Sequence, residues 1–202
     1  MVLCYIYDRF QRIMTDLEHY LQTYFDFDQT DLVKVASFFK PEILKKGDYY
    51  LKTGKLCNKL SFIQSGLLRI YVDLEDREVT QWICTQGYFV TDLASLVFAS
   101  PARWNIQALA DTAVYTIEKS DYDRLGDYIP KWPVTEKLFI AHCFTTLEDR
   151  VFSFLSMTAE QRYNLLFESH RDIFTQVPLQ YIASMLGMTP ETISRIRRKQ
   201  LS

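Results

Sequence analysis

Apolar positions change their period twice along this chain. From Asp16 to Phe39, Leu17, Leu21 and Phe25, then Leu32, Val35, Ala36 and Phe39, recur at helical spacing and predict helices. Asp31 stands near the start of the second, where a carboxylate meets the positive end of the helix dipole. From Pro41 to about Ile117 the pattern becomes short runs rich in β-branched and aromatic residues: "KLSFIQSG", "LLRIYVDL", "EVTQWICT" and "AVYTIE". Turn signals separate them at Gly47-Asp48, Gly54, Ser65-Gly66, Glu75-Asp76, Gly87, Ser100-Pro101 and Asp111, which predicts an all-β sandwich or barrel. After Lys119 the helical period returns, with a short helix, a proline-bounded corner and a long helix from about Val134 to Met157. Inside it, Ile140, Phe144, Leu147, Val151 and Phe154 form a heptad-like seam. That seam suits a helix packed on its own domain and a parallel dimer seam equally. "TAEQRYNLLFESH" predicts a further helix with Thr158 as N-cap, and "DIFTQVP" is short and β-prone.

The segment "LQYIASMLGMTPETISRIRRK", Leu179 to Lys199, predicts two helices. Leu179, Ile182, Ala183 and Leu186 share a face of the first, and the small Ala183 lets a second helix cross closely. Gly187 can take the left-handed conformation that ends a helix. Thr189 caps the second helix, Pro190 fills its first position, and Ile193 and Ile196 face back toward the first. Glu191, Thr192, Ser194, Arg195, Arg198 and Lys199 are left away from the core. This is a helix-turn-helix layout, whose second helix places its N-terminal residues against base edges in the major groove. Arg195 suits a guanine, Glu191 a cytosine amino group, and Thr189 and Thr192 suit phosphates.

Charge sharpens that picture. The 202 residues carry a net charge of -2, yet Met188 to Ser202 holds four basic residues and one acid, a local +3. Double-stranded DNA is therefore the expected partner. A hydrophobic content of 48% and 24% charged residues are ordinary for a globular protein, and no apolar run reaches membrane-spanning length. The opening "MVLCYIY" is too short for a signal-peptide core and meets Asp8 and Arg9 at once, so a cytoplasmic location is expected. The residues from Thr15 onward read as an ordinary helix start, which makes Met14 an alternative to Met1 as the natural beginning. Cys4, Cys57, Cys84 and Cys143 are scattered, as are His19, His142 and His170. They predict no metal, no cofactor and no enzyme activity.

On "IASMLGMTPETISRIRRK", with Gly187, Glu191, Thr192 and Arg195, the chain resembles the Crp/Fnr family of bacterial transcription regulators. "LKKGDYYLKTGKLCNKLSFIQSGLLRIYV" resembles that family's opening β-roll strands, with Gly47, Gly54 and Gly66. The resemblance implies an α+β fold: a jelly-roll-like β-roll with N-terminal helices over 1–130, a long dimerisation helix over 131–157, and a winged-helix-type helix-turn-helix over 158–202. It implies a homodimer that sets two recognition helices in successive major grooves about 34 Å apart, and contact with RNA polymerase. Carried over by position, Glu191 and Arg195 read bases, Thr189, Thr192 and Arg198 touch the backbone, and Lys199 adds charge. Pro190 stands where cyclic-AMP-binding members carry another arginine, so one base contact is missing.

The sensor half departs further. Cyclic-nucleotide binders in the family carry a Gly-Glu pair and a downstream Arg-Ser or Arg-Thr. Here "GYFVTDLASL" puts Thr91 and Asp92 at the pair, and "PARWNIQAL" offers Arg103 or Trp104 for the arginine. With no Gly-rich turn and no second arginine, the expectation is an effector site that does not take cyclic AMP. Trp82, Asp92, Arg103 and Trp104 are the candidate effector residues. The competing reading makes Trp82 and Trp104 β-roll core and Arg103 a surface ion pair. The alternative function is a small-molecule-binding β-roll module with terminal helices that do not bind DNA. A metal-dependent cupin-like enzyme is disfavoured by the missing His pairs.

Overall fold

The computed structural model describes residues 17–22 and 27–201. The alternative start at Met14, and Asp16 and Phe25 of the expected first helix, lie outside these residues. Residues 17–22 are helical (α1), and α2 (Gln29–Ser37) follows, started by the Asp28 side chain accepting from the Asp31 backbone N–H at 2.9 Å.

Eight strands come next: β1 (Lys40–Leu44), β2 (Tyr49–Leu51), β3 (Lys59–Ser65), β4 (Leu68–Asp73), β5 (Glu78–Cys84), β6 (Phe89–Val90), β7 (Asn105–Ala108) and β8 (Thr112–Glu118). They pair antiparallel into two four-stranded sheets, ordered β1-β8-β3-β6 and β2-β7-β4-β5. The expected β-roll is therefore a two-sheet sandwich. Ile63, Leu68, Ile106 and Val114 belong to the buried cluster between the sheets. Leu60, Phe62, Tyr115 and Ile117, on the other face of β3 and β8, are buried with Leu17, Leu32 and Val35 of α1 and α2. Burial on both faces explains why "KLSFI" and "AVYTI" read as near-continuous apolar runs rather than alternations. Gly66, between β3 and β4, has φ 95°, and an added Cβ would lie 2.5 Å from the Thr112 hydroxyl, so only glycine fits this turn.

A short helix, α3 (Leu93–Phe98), interrupts the strands. Beyond β8 come α4 (Lys119–Tyr122), α5 (Leu125–Tyr128), α6 (Trp132–Ser156), α7 (Ala159–Ser169), α8 (Ile173–Gln176), α9 (Leu179–Met185) and α10 (Pro190–Leu201). Helix α6 runs 25 residues, with proline in its first turn. Its Phe144, Leu147 and Val151 are 60%, 47% and 59% exposed, so one apolar face has no cover among the described residues. A capping box between Thr158 and Gln161 starts α7, as expected for an N-cap threonine.

Two expectations need correction. "DIFTQVP" forms one helical turn, because Ile173 and Val177 are buried four residues apart in a helical cluster and no strand is at hand to pair with. The winged character is also not found: past Glu118 every regular element among the described residues is a helix.

Helix α9 is seated on the second sheet. The Thr80 backbone N–H donates to the Ser184 hydroxyl at 2.9 Å. Arg69 of β4, only 1% exposed, lies with its guanidinium 3.6 Å from the Tyr181 ring centroid and 4.2 Å from that of Tyr71. Its Nε donates to the Thr80 hydroxyl at 2.9 Å and its Nη1 to Glu78 at 2.6 Å. The buried charge is thus matched by an anion and by two ring faces.

Candidate nucleic-acid interface

The turn between α9 and α10 closes on glycine. Gly187 has φ 66°, and an added Cβ would meet the Phe154 ring of α6 at 2.7 Å. The Thr189 hydroxyl then accepts from the Thr192 backbone N–H at 3.3 Å and starts α10, with Pro190 at its first position. Ile193 and Ile196 are buried with Ile182 and Ala183 of α9, which fixes how α10 is rotated. Glu191, Arg195 and Arg198, at i, i+4 and i+7, consequently form one exposed line. Exposed Ser194 lies to one side, with half-buried Thr192 and exposed Lys199 to the other.

Glu191's own backbone N–H, then the Thr189 hydroxyl, hold its carboxyl below the ordinary glutamate value, so it is ionised at neutral pH. Arg195 and Arg198 are in no ion pair among the described residues. Lys199 lies 3.0 Å from Glu160, an exposed pair worth at most about 1 kcal/mol and easily exchanged for a phosphate. Arg197 points inward instead, where its Nε donates to the Tyr163 hydroxyl at 3.1 Å and its guanidinium lies over Phe174.

Of the four effector candidates, Asp92, Arg103 and Trp104 are neighbours and Trp82 lies apart. Asp92 is 4% exposed and caps α3: one carboxylate oxygen accepts from the Ser95 N–H at 3.0 Å, the other from the Arg103 N–H at 3.1 Å. Arg103 meets Asp92 through that backbone group alone, while its side chain is exposed beside the Trp104 ring. Inside the sandwich, Tyr50 is buried, its hydroxyl donates to the Val90 carbonyl at 3.3 Å, and burial pushes its pKa well above the ordinary tyrosine value.

Trp82 belongs to another place. It lines a cavity of about 290 Å³ between β5 and helices α6, α7 and α9, together with Tyr88, Arg150, Phe154, Arg162 and His170. Asp92, Arg103 and Trp104 do not border this space. Sequence reasoning missed Arg150 and Arg162, whose neighbours come from distant segments.

Residues 41–127, less than half of the chain, match the family model of the cyclic nucleotide-binding domain. No curated protein sequence matches the chain. Among solved structures it is similar to FixK2 from Bradyrhizobium japonicum, with TM-score 0.67 and 20% identity over 80% of this chain and 83% of that one. The c-di-GMP responsive global regulator CLP of Xanthomonas campestris gives TM-score 0.63 and 14% identity over 86% and 92%. The catabolite activator protein of Thermus thermophilus gives 0.55 and 19% over 86% and 83%. At these identities the likeness is one of fold. No helix among the described residues is long and apolar enough to cross a membrane.

Proposed function

We propose that this chain is a DNA-binding transcription regulator of the Crp/Fnr type, acting as a homodimer through α6 and responding to an effector other than cyclic AMP. The observation that carries this reading is the exposed line of Glu191, Arg195 and Arg198 on a helix whose opposite face is anchored by Ile193 and Ile196. A helix so held can enter the major groove with its capped end first. Arg195 then bonds bidentately to a guanine, and ionised Glu191 accepts from a cytosine amino group. Thr189, Thr192, Arg198 and Lys199 contact phosphates, which set position and orientation. The uncovered face of α6 supports pairing of two chains, which would present two such helices to half-sites about 34 Å apart. RNA polymerase enters as the partner that regulators of this type address. The commitment of both Asp92 oxygens to backbone N–H groups supports an effector other than cyclic AMP.

Fluorescence anisotropy with labelled promoter duplexes tests the reading. Binding should weaken with salt by about 0.9 powers of concentration per neutralised phosphate. Salt-insensitive binding, or equal affinity for all sequences, overturns it. Light scattering should show a dimer at micromolar concentration, and a monomer there removes the pairing.

A further inference from the structure

Among the described residues, Arg69, Arg150 and Arg162 lie against aromatic rings beside the two ends of α9, and of these three Arg69 alone is in an ion pair. Arg69 is paired with Glu78. Arg150 is largely buried, and burial pulls its guanidinium below the ordinary arginine value. Its Nη2 donates to the Met185 carbonyl at 2.9 Å, and its guanidinium lies 4.6 Å from the Trp82 ring centroid and 5.5 Å from that of Phe154. Arg162 donates from Nε to the Leu186 carbonyl at 3.2 Å and from Nη1 to the Met157 carbonyl at 2.8 Å, with its guanidinium 4.8 Å from the Phe154 ring. A guanidinium has five N–H donors, so Arg150 keeps four and Arg162 three that no protein group takes up among the described residues. Neither has a carboxylate within ion-pair distance among those residues. Asp149 also borders the cavity, but it is exposed and pairs with neither arginine.

We propose that the cavity of about 290 Å³ between β5 and helices α6, α7 and α9 binds a small aromatic carboxylate, with its carboxylate on Arg150 and Arg162 and its ring against Trp82, Tyr88 and Phe154. Part-buried cations without an anion are costly, and a planar carboxylate matches the guanidinium fork. Most of the remaining wall is apolar, from Ile83, Leu165, Leu166, Ile173 and Met185, with Thr146, Ser153, Ser169 and His170 as its polar members beside Asp149, and an inorganic anion would leave the apolar part unfilled. The volume lies at the small end of organic-ligand sites, which suits one or two fused rings. Both arginines hold carbonyls at the end of α9, so a carboxylate that draws on them acts on the seat of α10. This last step rests on the regulator reading; the binding itself does not.

Isothermal titration of the full chain with 2-naphthoate and with its neutral analogue 2-naphthamide provides the test. One naphthoate should bind per chain, at least tenfold tighter than the amide. Arg150→Gln should bring the two within twofold of each other. Leu165→Trp, at a half-exposed position on the cavity wall, should weaken both at least tenfold and decides the matter if Arg150→Gln does not fold. Equal affinity for acid and amide, a preference unchanged in the folded variants, or no binding heat at millimolar 2-naphthoate overturns the proposal. Duplex binding measured in parallel separates the two readings. A chain that binds duplex but not naphthoate sinks only this inference, and one that binds naphthoate but not duplex sinks only the regulator.

Discussion

Helices α3 and α10 both begin with a side chain that accepts a hydrogen bond from the backbone three residues on. At α3 the cap is Asp92, a buried carboxylate whose second oxygen takes the Arg103 N–H as well. At α10 it is Thr189, an exposed hydroxyl that holds the first turn and leaves the two arginines beyond it unspent. Equivalent capping chemistry has opposite results. In α3 the carboxyl group that could meet a ligand is used up in closing a loop. In α10 the cap is a neutral hydroxyl, so Arg195 and Arg198 remain available to a partner. A polar residue at a helix start therefore says little about function until the destination of its hydrogen bonds is known.

The sharpest way to break this contrast is Asp92→Ala. Losing a buried cap and a second charged hydrogen bond should cost roughly 2–3 kcal/mol in denaturant unfolding. A cost under about 0.5 kcal/mol would mean that the carboxylate is free for another role. Next comes Arg195→Ala, which should forfeit about 1–3 kcal/mol of discrimination between cognate and altered duplexes. Its stability should stay within about 0.5 kcal/mol of the parent. If the melting midpoint falls and the discrimination stays, Arg195 is structural and the contrast fails. Arg198→Ala should weaken all duplexes alike and lower the salt slope by about one, and a sequence-dependent loss would reassign it to base reading. The smallest effect belongs to Glu191. Its folded-state value is lowered, so its contribution to stability is complete above the ordinary glutamate value and is lost as pH falls through the lower folded one. A carbon-13 titration should place its midpoint below about 4.3, and a midpoint at or above that would remove the proposed bonds to Thr189 and the backbone.

Legibility follows how local each determinant is. Gly187, Thr189, Pro190, Ile193 and Ile196 each specify their own neighbourhood, so α9, the turn and α10 could be read directly. Strands β3 and β8 could also be read, because burial on both faces left an unbroken apolar run. Helix α3 could not: six residues are too few for a helical period, and its determinant is a cap whose second partner lies 11 residues away. Arg69 sits in "LLRIYVDL" where an arginine suggests a solvent-facing strand position, and only the docking of α9 buries it. The cavity was invisible for the same reason, since Trp82, Arg150, Arg162 and Met185 come from four separate elements. The seam of α6 allowed two partners, and the structure leaves most of it bare. Phe154 at its end leans on Gly187, a contact that no heptad count contains.

The seat of α9 on the second sheet has a metrical consequence. Ser184 on Thr80 and Tyr181 on Arg69 tie α9, and through it the proposed DNA-reading helix α10, to the second sheet. In the proposed two-fold pair of chains, heads tied in this way would behave like the fixed legs of a pair of calipers. One base pair inserted between half-sites swings the second out of phase by about 34°. For calipers without play, the interval between the words becomes part of the address, alongside their spelling.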